Sequence, residues 1–413
     1  MTQQLMNMFV YAVATMDTKG DEICFVADKI SQTGIRVKIV DVGTANNPQR
    51  SPDIGKETIA ACHAKGAQHV LDQNDRGMAV TAMGEALENF LLQELNENRI
   101  AGVIGIGGSG GTSLISRGMR ALPIGLPKLL VSTVASGNTQ PYIDCNDITM
   151  MYSVVDIAGL NNVSEVILNN AAHALSGMVN NYSRPETENK AIGMTMFGVT
   201  TPCVDAVRKK LESREKNCLV FHATGTGGRA MESLVNSNYI DQVLDITTTE
   251  VADEIAGGVF PCGEHRFESI VHNRIPCVMS LGALDMVNFG GLETVPEKFK
   301  NRNLYVHNPE VTLMRTNVEE CIAIAKWMAS RINQSTAPFT LVIPEGGVSM
   351  LDAPGQPFFD IEADEALFNT LEEMVEQNND RKILRSSHNI NDPEFAELLL
   401  DALADVLDTN GTA

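Results

Sequence analysis

The sequence predicts an α/β protein built from two doubly wound, parallel-sheet (Rossmann-like) domains. Three observations lead there. Between Phe9 and Thr133 short apolar runs alternate with stretches of helical period. A polar segment containing Pro185, residues 182–190, breaks the chain, and the same alternation resumes beyond it. The length of 413 residues exceeds what one core holds, which assigns 1–184 to a first domain and 190–413 to a second. Alternation of this kind buries a parallel sheet between two layers of helices.

Taken in order, residues 9–15, 37–42, 70–72, 102–106 and 128–133 read as strands of the first domain. Helical stretches 21–32, 55–65, 78–96 and 112–119 lie between them, and 163–181 closes the domain. In the second, 191–197, 218–222, 243–247, 277–281, 304–307 and 339–343 read as strands. Residues 202–214, 319–331, 364–377 and 393–407 carry the apolar spacing of helices.

Composition narrows the partners. A hydrophobic fraction of 44% and a charged fraction of 20% suit a soluble globular protein. The net charge of −21 argues against nucleic acid and anionic membrane as partners. Eight cysteines lack Cys-x-x-Cys spacing, which fits reduced thiols and gives no zinc signature. Without a basic N-terminal leader or a long apolar run, a cytoplasmic location is expected.

The richest motif is Val103-Ile-Gly-Ile-Gly-Gly-Ser-Gly-Gly-Thr-Ser-Leu-Ile115, a strand that enters four glycines and then a helix. Gly107, Gly108, Gly110 and Gly111 can adopt positive φ and admit a ligand close to the backbone. Free amides at a helix start favour a phosphate, and Ser109 or Thr112 could cap the helix or reach a phosphate oxygen. The spacing is neither the Walker nor the dinucleotide pattern. A tight but empty strand–helix turn is the alternative.

Ligands of open parallel sheets bind beyond the carboxyl ends of strands. Other loops expected there are Thr15-Met-Asp-Thr-Lys-Gly20, Asp41-Val-Gly-Thr44 and Val134-Ala-Ser-Gly-Asn-Thr139, which contains Ser136. Lys19 would supply the positive charge that the Gly loop lacks, while Asp17 and Thr18 could equally be an N-cap. Asp144 and Asp147 could hold Mg²⁺ through water, or could belong to a solvated turn.

The second domain repeats the strand–Gly-loop–helix form in Phe221-His-Ala-Thr-Gly-Thr-Gly-Gly-Arg-Ala-Met-Glu232. Arg229 in a first helical turn opposes the helix dipole and needs an anion, supplied by a ligand or by an internal Glu. Thr247-Thr-Thr-Glu250, with Asp253 and Glu254, is either a functional strand end or a capping box. Asp285 and Asn288 fall in a Gly-flanked polar loop, and His307 and Arg315 lie near in sequence. His222 or His307 as acid or base, with a carboxylate and Arg side chains, would serve a small acidic metabolite. His222, Arg229, Glu250 and Asp285 form the candidate catalytic set.

Seven motifs together resemble a family of bacterial and plant proteins that includes the plant tobamovirus-resistance proteins. They are 15–20, 105–112, 131–137, 153–161, 196–204, 222–232 and 282–290, spread over nearly the whole chain. The resemblance implies a two-domain, dimeric α/β module that binds ATP with Mg²⁺ in its first domain. It places the nucleotide on Asp17, Thr18, Lys19 and Gly108 to Thr112. In the plant members a barrel domain follows and the protein interferes with a viral replication protein; here a barrel partner would be a separate polypeptide.

Three functions remain open on the sequence. One is an ATP-dependent enzyme acting on a small carboxylate or phosphate compound by phosphoryl transfer or ligation. Another is a non-catalytic, nucleotide-gated binding module. The third is lyase or hydrolase chemistry confined to the second domain.

Overall fold

The computed structural model describes residues 8–45, 47–182 and 190–410. The chain divides into two compact units, Met1–Pro185 and Glu186–Ala413. Most of the polar connecting segment, 183–189, lies outside the described residues.

Unit 1 runs β1 (Phe9–Ala14), α1 (Met16–Ser31), β2 (Val37–Asp41), α2 (Lys56–Ala60), α3 (Ala67–Leu71) and α4 (Arg76–Asn96). It continues with β3 (Ile100–Gly107), α5 (Ser109–Arg120), β4 (Lys128–Ser132), α6 (Gln140–Ile143), β5 (Thr149–Tyr152) and α7 (Asn162–Asn180). All neighbouring strands are parallel, in the order β2-β1-β3-β4-β5. Alternation within β1 divides the core. Val10, Ala12 and Ala14 join Ile23 of α1 and Leu168 of α7 on one face. Tyr11 and Val13 join Leu87 of α4 and Ile115 of α5 on the other.

The helix expected over 55–65 is only α2, Lys56–Ala60, and two further differences from the sequence reading stand in this unit. Residues 70–72 are not a strand, because Val70 sits in the short helix α3. A three-residue apolar run carries no period that separates the two states. The edge strand β5 was not foreseen, being only four residues long and half-exposed.

Unit 2 starts β6 (Ala191–Met196), α8 (Thr201–Ser213), β7 (Cys218–His222), α9 (Thr226–Asn236), β8 (Ile240–Thr247), α10 (Glu250–Ala256), α11 (Glu268–His272) and β9 (Cys277–Gly282). An excursion, β10 (Met286–Phe289), β11 (Leu304–Asn308) and β12 (Val311–Arg315), precedes α12 (Val318–Ile332), β13 (Phe339–Pro344), α13 (Ile361–Met374), β14 (Arg381–Ser386) and α14 (Pro393–Asn410). The main sheet is again parallel, ordered β14-β13-β9-β8-β6-β7. Read from its other edge, the first five strands repeat the order of unit 1. The excursion forms a three-stranded antiparallel sheet, β10-β12-β11. Residues 304–307 are therefore strand, as expected, but belong to this small sheet.

Candidate functional site

In both units the chain order reverses beside the first strand, so the rule for parallel sheets points to the carboxyl ends of β1 and β3, and of β6 and β8. The two places differ in what fills them.

In unit 1, β3 runs straight into α5 with Gly108 as the N-cap and no side-chain cap. The amides of Ser109, Gly110 and Gly111 are those a helix leaves without intrahelical acceptors. None of the four loop glycines has a positive φ, so conformational need does not explain them. Packing explains only Gly107, where a Cβ would stand 2.7 Å from the Thr112 amide nitrogen. At Gly108, Gly110 and Gly111 the nearest atom to a Cβ would be 3.8, 3.9 and 3.8 Å away. Three side chains are thus missing where this unit has room for them. Ser109 is exposed at the same turn, whereas Thr112 is buried and hydrogen-bonds Ser132 at 2.6 Å. Thr112 therefore ties α5 to β4 and does not face a ligand.

The end of β1 supplies the other wall. The helix α1 begins at Met16 with Thr15 as N-cap, so Asp17 and Thr18 sit in its first turn rather than capping it. The capping acceptor comes from β2: Asp41 Oδ1 accepts from the amides of Met16 (3.0 Å) and Gly43 (2.8 Å). Its other oxygen, Oδ2, is buried and has no hydrogen-bond partner among the described residues. Burial pushes this carboxyl above the usual carboxylate range, against the pull of those two amides. A Cβ on Gly43 would lie 3.0 Å from Asp41 Oδ1 and 3.3 Å from Asp17 Cγ, so both acids converge there. Lys19 is half-buried and its Nζ donates to the Ile157 carbonyl at 2.5 Å.

Beyond β4, Ser136 is exposed in its loop. The pair Asp144 and Asp147 does not make a metal seat. Asp147 Oδ1 pairs with buried Lys128 Nζ at 2.7 Å, and Oδ2 accepts from the Gly125 amide at 2.7 Å. Both oxygens are committed to holding a buried ammonium and a turn. Asp144 is exposed next to a four-residue helix. Among the described residues no group of three or more His, Cys, Asp or Glu side chains is placed to hold a metal ion.

In unit 2 the glycine loop follows the edge strand β7, the counterpart of β2, and is filled from within by a residue that follows β8. Glu250 is 1% exposed, and its Oε1 accepts from the amides of Gly225 (2.8 Å) and Gly228 (3.1 Å). Its Oε2 meets Arg266 Nε at 3.2 Å. Arg266, itself 2% exposed, also holds Glu232 at 2.9 Å and Asp245 at 2.7 Å. A Cβ on Gly228 would collide with both Glu250 and Arg266, so that glycine exists to admit the ion pair. Thr249 is the N-cap of α10 without a side-chain bond, and no capping box forms there.

Asp285 is equally enclosed. It leads into β10 rather than lying in an open loop, is 1% exposed, and accepts from Ser349 Oγ at 2.8 Å. Arg315 and Asp352 act on it from close by, and Arg315 Nη2 lies 2.6 Å from Asp364 and 3.6 Å from Asp352. Burial, with the Asp352 charge beside it, raises the Asp285 carboxyl to about 7. Glu250 and Asp285 thus stand in two separate buried networks. Arg229 is half-buried in the first turn of α9. His222 lines a cleft, a space of about 250 Å³ that it shares with His307.

Family models match both halves of the chain: the N-terminal domain of the uncharacterised protein family UPF0261 over residues 8–184, and its C-terminal domain over 189–407. The chain belongs to UPF0261. A UPF0261 protein from Rhizobium meliloti is 53% identical over 96% of this chain and 98% of its own length. Another, from Clostridium tetani, is 47% identical over 98% of this chain and all of its own. The ToMV resistance protein Tm-1(GCR237) of Solanum lycopersicum is 43% identical over 98% of this chain, which spans 56% of that protein. No helix among the described residues of this UPF0261 chain is long and apolar enough to cross a membrane.

Sequence reasoning missed Arg266, whose three acidic partners are 34, 21 and 16 residues away and leave no local pattern. It also missed Phe197 and Phe260, which line the cleft but read as ordinary apolar positions. The doubled acids at Asp17 and Asp41 were visible only as neighbouring strand-end loops.

Proposed function

We propose that this UPF0261 chain binds ATP, held by its phosphates on the Gly108–Gly111 turn of unit 1. The observation that carries the reading is the contrast between two glycine loops. Around Gly225–Gly228 the amides already hold the carboxylate of Glu250, whereas the helix start at Gly108 has no side-chain cap among the described residues. At three of those glycines an added Cβ would come no closer than 3.8 Å to the described residues. A phosphate there would meet free amides and a helix dipole, which supplies the local attraction needed against a net charge of −21.

Mg²⁺ keeps most of its water and binds through phosphate oxygens plus one or two carboxylates. Asp17 and Asp41 suit it better than Asp144 and Asp147, because Asp41 Oδ2 is an unused acceptor. Lys19, tethered to Ile157, would hold the loop after β5 against this edge and add charge nearby. The role is binding rather than an assembled acid–base centre, since Glu250 and Asp285 are each buried in ion networks.

Thermal unfolding of the whole chain with added ligands tests this. ATP and inorganic tripolyphosphate should both raise the unfolding midpoint, since a ligand at a hundred times its Kd stabilises by about 2.7 kcal/mol. Adenosine should raise it far less. Equal stabilisation by adenosine and ATP, or none by either phosphate compound, would refute a phosphate cradle.

A further inference from the structure

Four chain segments of unit 2 meet over the carboxyl edge of β6 and β7 and line the cleft of about 250 Å³. Its walls are apolar: Phe197 and Val199 follow β6, Phe260 follows α10, and Leu313 comes from β12. The Phe197 and His222 ring centroids lie 5.3 Å apart with a 34° tilt, and both rings line the cleft. Polar groups stand at the rim, namely Thr224 after β7 and His307 and Asn308 at the end of β11.

We infer that this cleft binds an uncharged heteroaromatic ring compound with hydrogen-bond donors and acceptors along one edge, laid flat against Phe197 and His222. Aromatic walls favour a flat ring over an aliphatic ligand, by offset stacking. The volume is below the roughly 300–1,000 Å³ of drug-sized sites, so one ring system fits rather than a whole nucleotide. No Lys or Arg is among the lining residues, so a phosphate or carboxylate would enter a chain of net charge −21 without a permanent cation to meet it. This cleft therefore favours an uncharged ligand over an anion.

The rim groups set the edge requirement. The Thr224 hydroxyl donates to the His222 carbonyl at 3.4 Å and offers its lone pairs as an acceptor, and imidazole nitrogens serve as donors or acceptors. The Asn308 Oδ1 already takes the Glu310 amide at 2.9 Å, which leaves its NH₂ as a donor. Such a mixed set matches the alternating edge of a heteroaromatic base better than a phenol with a single polar group. The rim is also held in place from below. Thr224 precedes Gly225, which has φ +76° and whose amide is fixed by Glu250. Glu250 is thus a positioning residue for the cleft. The inference concerns unit 2 alone and stands apart from the nucleotide reading of unit 1.

The test follows the imidazole resonances of His222 and His307 in the whole chain, assigned through His222→Gln and His307→Gln among its eight histidines. Adenine, thymine, indole and inorganic phosphate are titrated separately. At least one of the two bases should shift both resonances saturably, more tightly than indole, and phosphate should not. Phe197→Leu, which keeps apolar bulk but removes the ring, should weaken that base about fivefold. Thr224→Val should weaken it as well, and Gly110→Val should leave it unchanged. The inference is overturned if neither base gives a saturable shift, if phosphate shifts both resonances as strongly, or if Phe197→Leu binds as the parent does.

Discussion

The carboxylate of Glu250 accepts a hydrogen bond from the amide of Gly225 at 2.8 Å, so the second glycine loop of the chain carries its own anion. The first loop, Gly107 to Gly111, has the same strand-to-helix form and, among the described residues, no side-chain cap. That difference decides which loop is available to a ligand.

If Glu250 is the built-in anion of that loop, Glu250→Ala should destabilise unit 2 by about 3 kcal/mol or more. It strands two buried amides and one side of a buried guanidinium. Denaturant unfolding reads this directly. A change within about 0.5 kcal/mol would mean that the loop stands without the carboxylate.

Two neighbouring glycines should respond with opposite signs. Gly107→Ala puts a methyl 2.7 Å from a backbone nitrogen and should cost about 1–3 kcal/mol. Gly110→Ala meets nothing closer than 3.9 Å and has no positive φ to lose, so it should be neutral or add up to about 1 kcal/mol of helix stability. Should Gly110→Ala destabilise as much as Gly107→Ala, the glycine is structural and the cradle argument fails.

Stability should depend on pH through the buried acids of unit 2. Burial raises the carboxyls of Asp253 and Asp285 to about 7 and that of Asp364 to about 8, from 3.8. A carboxyl raised by folding contributes stability that is complete below pH 4 and is lost as the pH passes its folded value. These groups should therefore weaken the fold between about pH 4 and 8. Asp285→Asn, uncharged throughout, should flatten that slope in urea midpoints measured across the range. An unchanged slope would show that Asp285 titrates as an ordinary carboxylate.

The ion pair of Lys128 and Asp147 predicts a structural, metal-independent phenotype. Asp147→Asn should lower the unfolding midpoint, since Lys128 is buried and burial already depresses its affinity for the proton. The loss should be on the order of 1–3 kcal/mol. Any Mg²⁺ dependence of ATP binding should survive. If that dependence disappeared, Asp147 would have to be a metal ligand after all.

Much of this was legible in the sequence because long elements announce themselves. The strand at Ile100–Gly107 is apolar throughout and ends in glycines, and helices such as Val318–Ile332 carry a full apolar stripe with an Asn317 capping box. What escaped was short or set by distant partners. Val70 belongs to a five-residue helix, and the edge strand Arg381–Ser386 is interrupted by charge. The same limit governed the site. Composition marked Glu250 and Asp285 as chemistry-bearing, but only the fold brings Arg266 and Arg315 against them and closes them from solvent.

The most direct measurement is calorimetric titration of ATP, with and without Mg²⁺, into the chain and into its Gly110→Val variant. The parent should bind saturably and more tightly with Mg²⁺. The variant, with its side chain in the space left by the glycine, should keep the parent's unfolding midpoint and bind at least tenfold more weakly, a loss of about 1.4 kcal/mol. Equal binding by a folded variant, or no binding by the parent, would contradict the assignment of this loop to a phosphate.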